Sequence, residues 1–211
     1  AIPDLENSSS VNFMWTNAMY GDKKANTQLT GVESQYDKIF EPIIYDGRFL
    51  NDADNANYRK VCVIGKTVAG TLFGTMSGVG KDIQLNNIYY KVVGGVGQTS
   101  EINVGANMDE SIFIPSKSMC RSYNLGNRID VFMMTFRQGT RPGDYEKRLR
   151  RIIASNHPIA PDDEGAFNYF NISKMFEMVD NVFAGITLLA LVVGTGTLMS
   201  GIIGVGNIMW I

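Results

Sequence analysis

Apolar positions come in short runs over most of the chain and then fuse into one: residues 182–211 read VFAGITLLALVVGTGTLMSGIIGVGNIMWI, without a charged side chain. A helix rises about 1.5 Å per residue, so a run of this length exceeds the roughly 30 Å hydrocarbon core of a bilayer. Core helices of soluble proteins keep a polar stripe, whereas no helical face here carries a charge. The pattern predicts a membrane-spanning helix. The run stops at Trp210 and Ile211 with no flanking Lys or Arg, and Ala1 is not an initiator methionine. The expectation is a fragment, cut upstream in a loop and downstream near the end of the helix.

Ahead of that helix the periods are mixed. After the polar start AIPDLENSSS, residues 11–15 (VNFMW) and 27–34 (TQLTGVES) alternate like strands joined through the turn-like YGDKKAN. A helical turn is expected over residues 36–40. Arg48 lies between Gly47 and Phe49, where its stem can pack and its guanidinium can reach backbone carbonyls. Residues 60–65 (KVCVIG) read as a buried strand, 67–73 (TVAGTLF) as a short amphipathic helix, and 82–85 and 88–93 as a hairpin. Asn86 and Asn87 supply its tight turn, since Asn tolerates positive φ. Glycines 74, 78 and 80 break the chain between helix and hairpin.

Further on, SIFIP is a strand ended by Pro115, followed by a short polar helix from Ser116, and residues 128–136 (RIDVFMMTF) form a strong strand. Pro142 opens a helix to about Ser155, with Tyr145, Leu149, Ile152 and Ile153 on one face and Lys147, Arg148, Arg150 and Arg151 mostly opposite. Residues 166–172 (AFNYFNI) read as a last strand. Ser173 then caps the helix that passes Met175 and Met178 into the membrane. Strand, helix and strand from 128 to 172 hand directly to the long helix, in the order of a lever. No repeat of solenoid length interrupts the series.

Composition adds limits. The chain carries 19 Lys plus Arg against 21 Asp plus Glu, which leaves no basic surplus for a phosphate backbone and excludes nucleic acid as a partner. Residues 160–180 hold Asp162, Asp163, Glu164, Glu177 and Asp180 against Lys174 alone. Loops retained in the cytoplasm carry the opposite bias, so the preceding domain is expected outside it. Cys62 and Cys120 lie far apart with no CxxC spacing. Two buried thiols are the plain reading, and a disulfide stays open in an oxidising compartment.

No catalytic, cofactor or metal constellation emerges. GTMSGVGKD lacks Gly at position 75, has Asp82 where Ser or Thr should hold magnesium, and leads into a strand. GGVGQTS has Ser100 where a third glycine is needed and no helix behind it. Both are read as turn glycines. DADNANY places Asp52 and Asp54 two apart, but Ala56 and Asn57 stand where a calcium loop needs a ligand and a glycine; an acidic helix start explains it better. His157, the sole histidine, is expected to cap a helix C-terminus. Asp162, Asp163 and Glu164 read as a solvated loop. In the membrane helix Gly196, Ser200 and Gly204 recur at spacing four, the small-residue pattern that lets two such helices approach.

Taken in order, GRFLNDADNANYRKVCVIGKTVAGTLFG, GVGKDIQLNNIYYKVVGGV, SIFIPSKS and HPIAPDDEGAFNYFNI with GTGTLMSGIIGVGNIM resemble the MacB-like periplasmic core domain of ABC transporter permeases, running into an FtsX-type transmembrane helix. The resemblance covers roughly residues 28–211. It implies an α+β fold, a β-rich subdomain (1–127) inserted in an α/β subdomain (128–172, here incomplete), then a stalk and transmembrane helix (173–211). Gly47 and Arg48 become structural turn residues, and Gly80 the turn into the hairpin. The resemblance further implies a permease subunit of the inner membrane with its domain in the periplasm, working in efflux or envelope mechanotransmission. ATP hydrolysis falls to a separate ATP-binding domain or subunit, and a homodimer or paired permease and a periplasmic adaptor protein become expected partners. The competing expectation is a membrane-anchored extracytoplasmic binding module. A permease should continue past Ile211 into a basic segment and further apolar runs.

Overall fold

The computed structural model describes residues 4–76, 78–99, 107–137, 139–140, 142–156 and 170–209, with the backbone alone at 144, 156, 173, 204 and 206–208. Contacts divide the chain into two compact units, Ala1–Gln138 and Gly139–Ile211.

The first unit begins with a hairpin of β1 (Leu5–Tyr20) and β2 (Lys23–Val32), turning at Gly21, whose φ is +57°. Helix α1 (Tyr36–Phe40), strand β3 (Ile43–Gly47), helix α2 (Asp52–Ala56), strand β4 (Val61–Gly65) and helix α3 (Lys66–Phe73) follow. Then come β5 (Asp82–Leu85), β6 (Ile88–Gly97), a 3-10 turn at Met108–Glu110, β7 (Ser111–Pro115), α4 (Ser116–Ser122) and β8 (Val131–Phe136).

Strands β2, β7, β4, β6, β5 and β1 are neighbours in that order, and β1 pairs back onto β2, so six strands close on themselves. Closure removes their free edges. Strand β3 adds to β6 and β8 to β1 outside this ring.

Why β4 reads as a continuous apolar run is visible in its packing. Cys62 and Ile64 face one cluster, with Leu29, Ile83, Leu85 and the α3 residues Val68, Ala69 and Leu72. Val63 faces a second cluster, with Tyr36, Phe49, Val96 and Phe113. Between β5 and β6, Asn86 and Asn87 take φ of 43° and 66°, the left-handed pair that a two-residue hairpin turn requires.

β1 is far longer than VNFMW alone indicates. Its residues 5–11 pair with β8, from Leu5↔Phe136 to Val11↔Val131, and residues 12–20 pair with β2. The polar start is strand because distant groups satisfy it: the Ser8 N–H donates to Gln35 Oε1 at 3.0 Å and Ser10 Oγ to Glu33 Oε1 at 2.5 Å. β8, grouped from sequence with the segment that follows, is paired to β1 inside the first unit.

Helix α2 is held at its start by a reciprocal cap. Asn51 Oδ1 accepts the Asp54 N–H at 3.0 Å, and Asp54 Oδ2 accepts the Asn51 N–H at 3.2 Å. Asn51→Ala is expected to cost about 1 kcal/mol and to lower the thermal midpoint by about 3 °C; an unchanged midpoint would show that the cap carries no stability.

In the second unit a 3-10 turn at Pro142–Tyr145 leads into α5 (Glu146–Asn156), where Arg150 Nη2 pairs with Glu146 at 3.2 Å, and α6 runs over Ile172–Met209. Most of the strand expected at 166–172 lies outside the described residues, as do His157, Asp162, Asp163 and Glu164. Ile172 opens α6, so Ser173 lies inside the helix and is not its cap. The apolar period explains this shift: Ile172, Met175, Phe176, Val179, Phe183 and Ile186 already follow helical spacing from the first of them.

Candidate functional site

Two features are candidates: the apolar helix α6, and the cluster of charged groups around Arg48 in the first unit. Helix α6 is 38 residues long. Its Lys174–Ile203 stretch contains an 18-residue window of mean hydropathy 2.1, 0% of which is buried, so the soluble core-helix reading has no support in its packing. Gly196 and Ser200 stand one turn apart on one face; the side of Gly204 lies outside the described residues. A Cβ built on Gly196 meets nothing within 4 Å, so among the described residues nothing packs on the helix at that position.

In the first unit Arg48 does more than reach a carbonyl. It donates to Phe49 O at 2.8 Å, as the sequence led one to expect, and grips Asp54 through both terminal nitrogens at 2.6 and 3.2 Å. Arg59 adds a contact at 3.4 Å. The Asp54 side chain is 0% exposed. Burial alone would push its carboxyl up; the Arg48 hydrogen bonds, the Asn51 N–H and the Arg48 charge outweigh this and hold it below the ordinary carboxylate range. DADNANY is therefore an acidic helix start whose second carboxylate is committed to arginine, and Asp52 accepts from Ser34 Oγ. The pairing of Arg48 with Asp54 was missed from sequence. Its one signal was the N-x-x-D spacing of Asn51 and Asp54, which places a side chain at each end of a reciprocal cap.

The glycine motifs acquire different explanations. Lys81, the would-be phosphate lysine, lies with Nζ 4.4 Å from the Phe73 ring centroid and 5.4 Å from that of Tyr20, a cation–π seat. Gly80 is a turn residue, with φ +86°, whereas Gly78 is small because a Cβ there would lie 2.0 Å from the Phe73 ring. The turn reading of GGVGQTS is corrected. Gly94, Gly95 and Gly97 sit within β6, where a Cβ on Gly94 would lie 2.1 Å from the Arg48 carbonyl oxygen and one on Gly97 2.4 Å from the Tyr45 ring. Close approach of another segment, not a turn, demands glycine there.

Both thiols are free. Burial, with a smaller push from Asp82, raises the Cys62 thiol, and burial raises that of Cys120. Neither has the lowered pKa of a reactive cysteine. Among the described residues no group of three or more His, Cys, Asp or Glu is placed to hold a metal ion.

A family model described as "MacB-like periplasmic core domain" matches residues 1–152. The chain is 27% identical over 209 residues to the macrolide export ATP-binding/permease protein MacB of Bdellovibrio bacteriovorus, covering 99% of this chain and 32% of that protein. To the protein of the same description in Wolinella succinogenes it is 26% identical over 211 residues, covering 97% and 30%. It thus spans about a third of the length of these relatives. In fold it is similar to the periplasmic region of MacB from Actinobacillus actinomycetemcomitans, with TM-score 0.70 and 17% identity over 85% of this chain and 78% of that one. It is likewise similar to the extracellular domain of a noncanonic ABC-type transporter, YknZ, from Gram-positive bacteria, with TM-score 0.65 and 19% identity over 75% and 80%.

Proposed function

The chain belongs to the MacB-like periplasmic core domain family, and from that premise we propose that it is the extracytoplasmic domain and one membrane helix of an ABC transporter permease subunit. In this reading the domain relays ATP-driven motion of the membrane helices, in efflux or in mechanical work on the envelope. The observation that carries the proposal is the pairing, in one chain, of the family's α+β unit with a helix whose most apolar 18 residues have mean hydropathy 2.1 and are unburied. Relatives described as ATP-binding/permease proteins extend well beyond the matched region, which supports an ATP-binding domain or subunit as partner. The small face of Gly196, Ser200 and Gly204 is proposed to pack against a further membrane helix, of a second permease copy or of the same one. Bacterial inner membrane with the domain in the periplasm, and contact with an adaptor protein there, belong to the same proposal.

The test is purification of the full-length protein from membranes in mild detergent. A nucleotide-hydrolysing domain or subunit is expected in stoichiometric amount. Recovery of the protein alone, without ATPase activity, overturns the relay and leaves a membrane-anchored binding module.

A further inference from the structure

Gly194, Thr195, Gly196 and Thr197 follow one another in α6, within its membrane-length apolar stretch Lys174–Ile203. A backbone hydrogen bond broken inside a bilayer has no water to replace it.

Two observations meet there. Glycine is the least favourable helix residue after proline, at about 1 kcal/mol relative to alanine, and a Cβ on Gly194 or Gly196 would touch nothing within 4 Å. Among the described residues no packing requires either glycine. The threonines, in turn, supply spare donors. Thr195 Oγ1 lies 2.8 Å from Leu191 O and 3.0 Å from Val192 O, and Thr197 Oγ1 lies 2.8 Å from Gly194 O. These carbonyls are the acceptors for the main-chain N–H groups of Thr195, Gly196 and Leu198. If bending lengthens one of those bonds, the oxygen keeps a hydroxyl partner, which removes most of the penalty of opening the helix in lipid.

We infer that residues 194–197 form a hinge at which the arms 182–193 and 198–209 change their mutual angle. The inference deepens the relay reading and rests on it for its purpose, though not for its geometry. It allows one end of α6 to be displaced while the other stays seated.

The full-length protein, backbone-labelled with ¹⁵N and placed in aligned bilayers, reports the tilt of each arm by oriented solid-state NMR. Spectra are taken without nucleotide and with a non-hydrolysable ATP analogue. Tilts differing by at least about 20°, the size of a true kink, are expected in one condition or both. The quadruple variant Gly194→Ala, Thr195→Val, Gly196→Ala and Thr197→Val should show a single tilt, while the control pair Gly185→Ala and Thr187→Val should keep two. A single tilt in the unmodified protein under both conditions overturns the hinge, as does a quadruple variant that still bends. If the helix bends but no nucleotide-hydrolysing partner is found, the hinge stands and the relay fails; a straight helix beside an active ATPase means the reverse.

Discussion

Arg48→Met is expected to destabilise the first unit by about 3 kcal/mol at neutral pH, because it strands a carboxylate inside the fold. The Asp54 side chain is 0% exposed and that of Arg48 42%, so removing the arginine leaves the buried partner charged while the surface loses little. Arg59 at 3.4 Å and the Asn51 N–H at 3.2 Å remain, which keeps the cost at the low end for a broken buried pair. Asp54→Asn should cost less, since it leaves Arg48 with access to water. The pH dependence has a definite sign. Asp54 titrates below its ordinary 3.8 in the folded chain, so its contribution is complete above 3.8 and is lost as pH falls through the lower folded value. In Arg48→Met the buried carboxyl binds its proton more readily, and the gap to the parent protein closes on acidification. Urea midpoints at pH 7 and pH 4, for the parent and both variants, check this. A gap independent of pH would mean that the loss comes from the arginine stem and not from the ion pair.

Gly94→Ala should cost at least as much, about 3 kcal/mol, by overpacking two backbones that already touch. At this crossing Gly47 of β3 is paired with Gly94 of β6, and the Arg48 N–H donates to Val93 O at 3.0 Å. A Cβ on Gly94 would stand 2.1 Å from Arg48 O, and one on Gly47 2.2 Å from Val93 O. Neither obstacle is a side chain that can swing aside. Gly70→Ala provides the contrast: Gly70 is exposed in α3 and a Cβ there meets nothing within 4 Å, so this change should raise stability by about 0.7 kcal/mol through helix propensity and the unfolded chain. Equal losses in both variants would refute the contact argument.

Elements whose cause is local were legible. The asparagine pair of the β5–β6 turn, the apolar run of β4, the acidic start of α2 and the charge-free length of α6 each depend on residues close in sequence, and periodicity or turn chemistry exposes them. What stayed hidden depends on distant partners. Nothing near Ser8, Ser9 and Ser10 announces a strand; they join one because β8 lies alongside and Gln35 and Glu33 accept or donate across the fold. The glycines of β6 looked like turn glycines for the same reason, since only the arrival of Arg48 and Tyr45 shows what their missing side chains make room for. The small-residue face proposed for α6 belongs to a third class, in which spacing alone carries the expectation.

Strand β1 has a mechanical consequence. The first unit's chain enters near Leu5 and leaves near Phe136, and these residues face each other across the β1–β8 ladder. Drawing the two flanks apart would peel that ladder one hydrogen bond at a time, at low force. Drawing both the same way along the strand axis would instead pass tension through residue 11 into residues 12–20, where β2 and, at Ala18 and Met19, β5 flank the strand and many bonds must shear together. One polypeptide grip is thus a weak seam to divergent pulls and a stiff tie-rod to a common one.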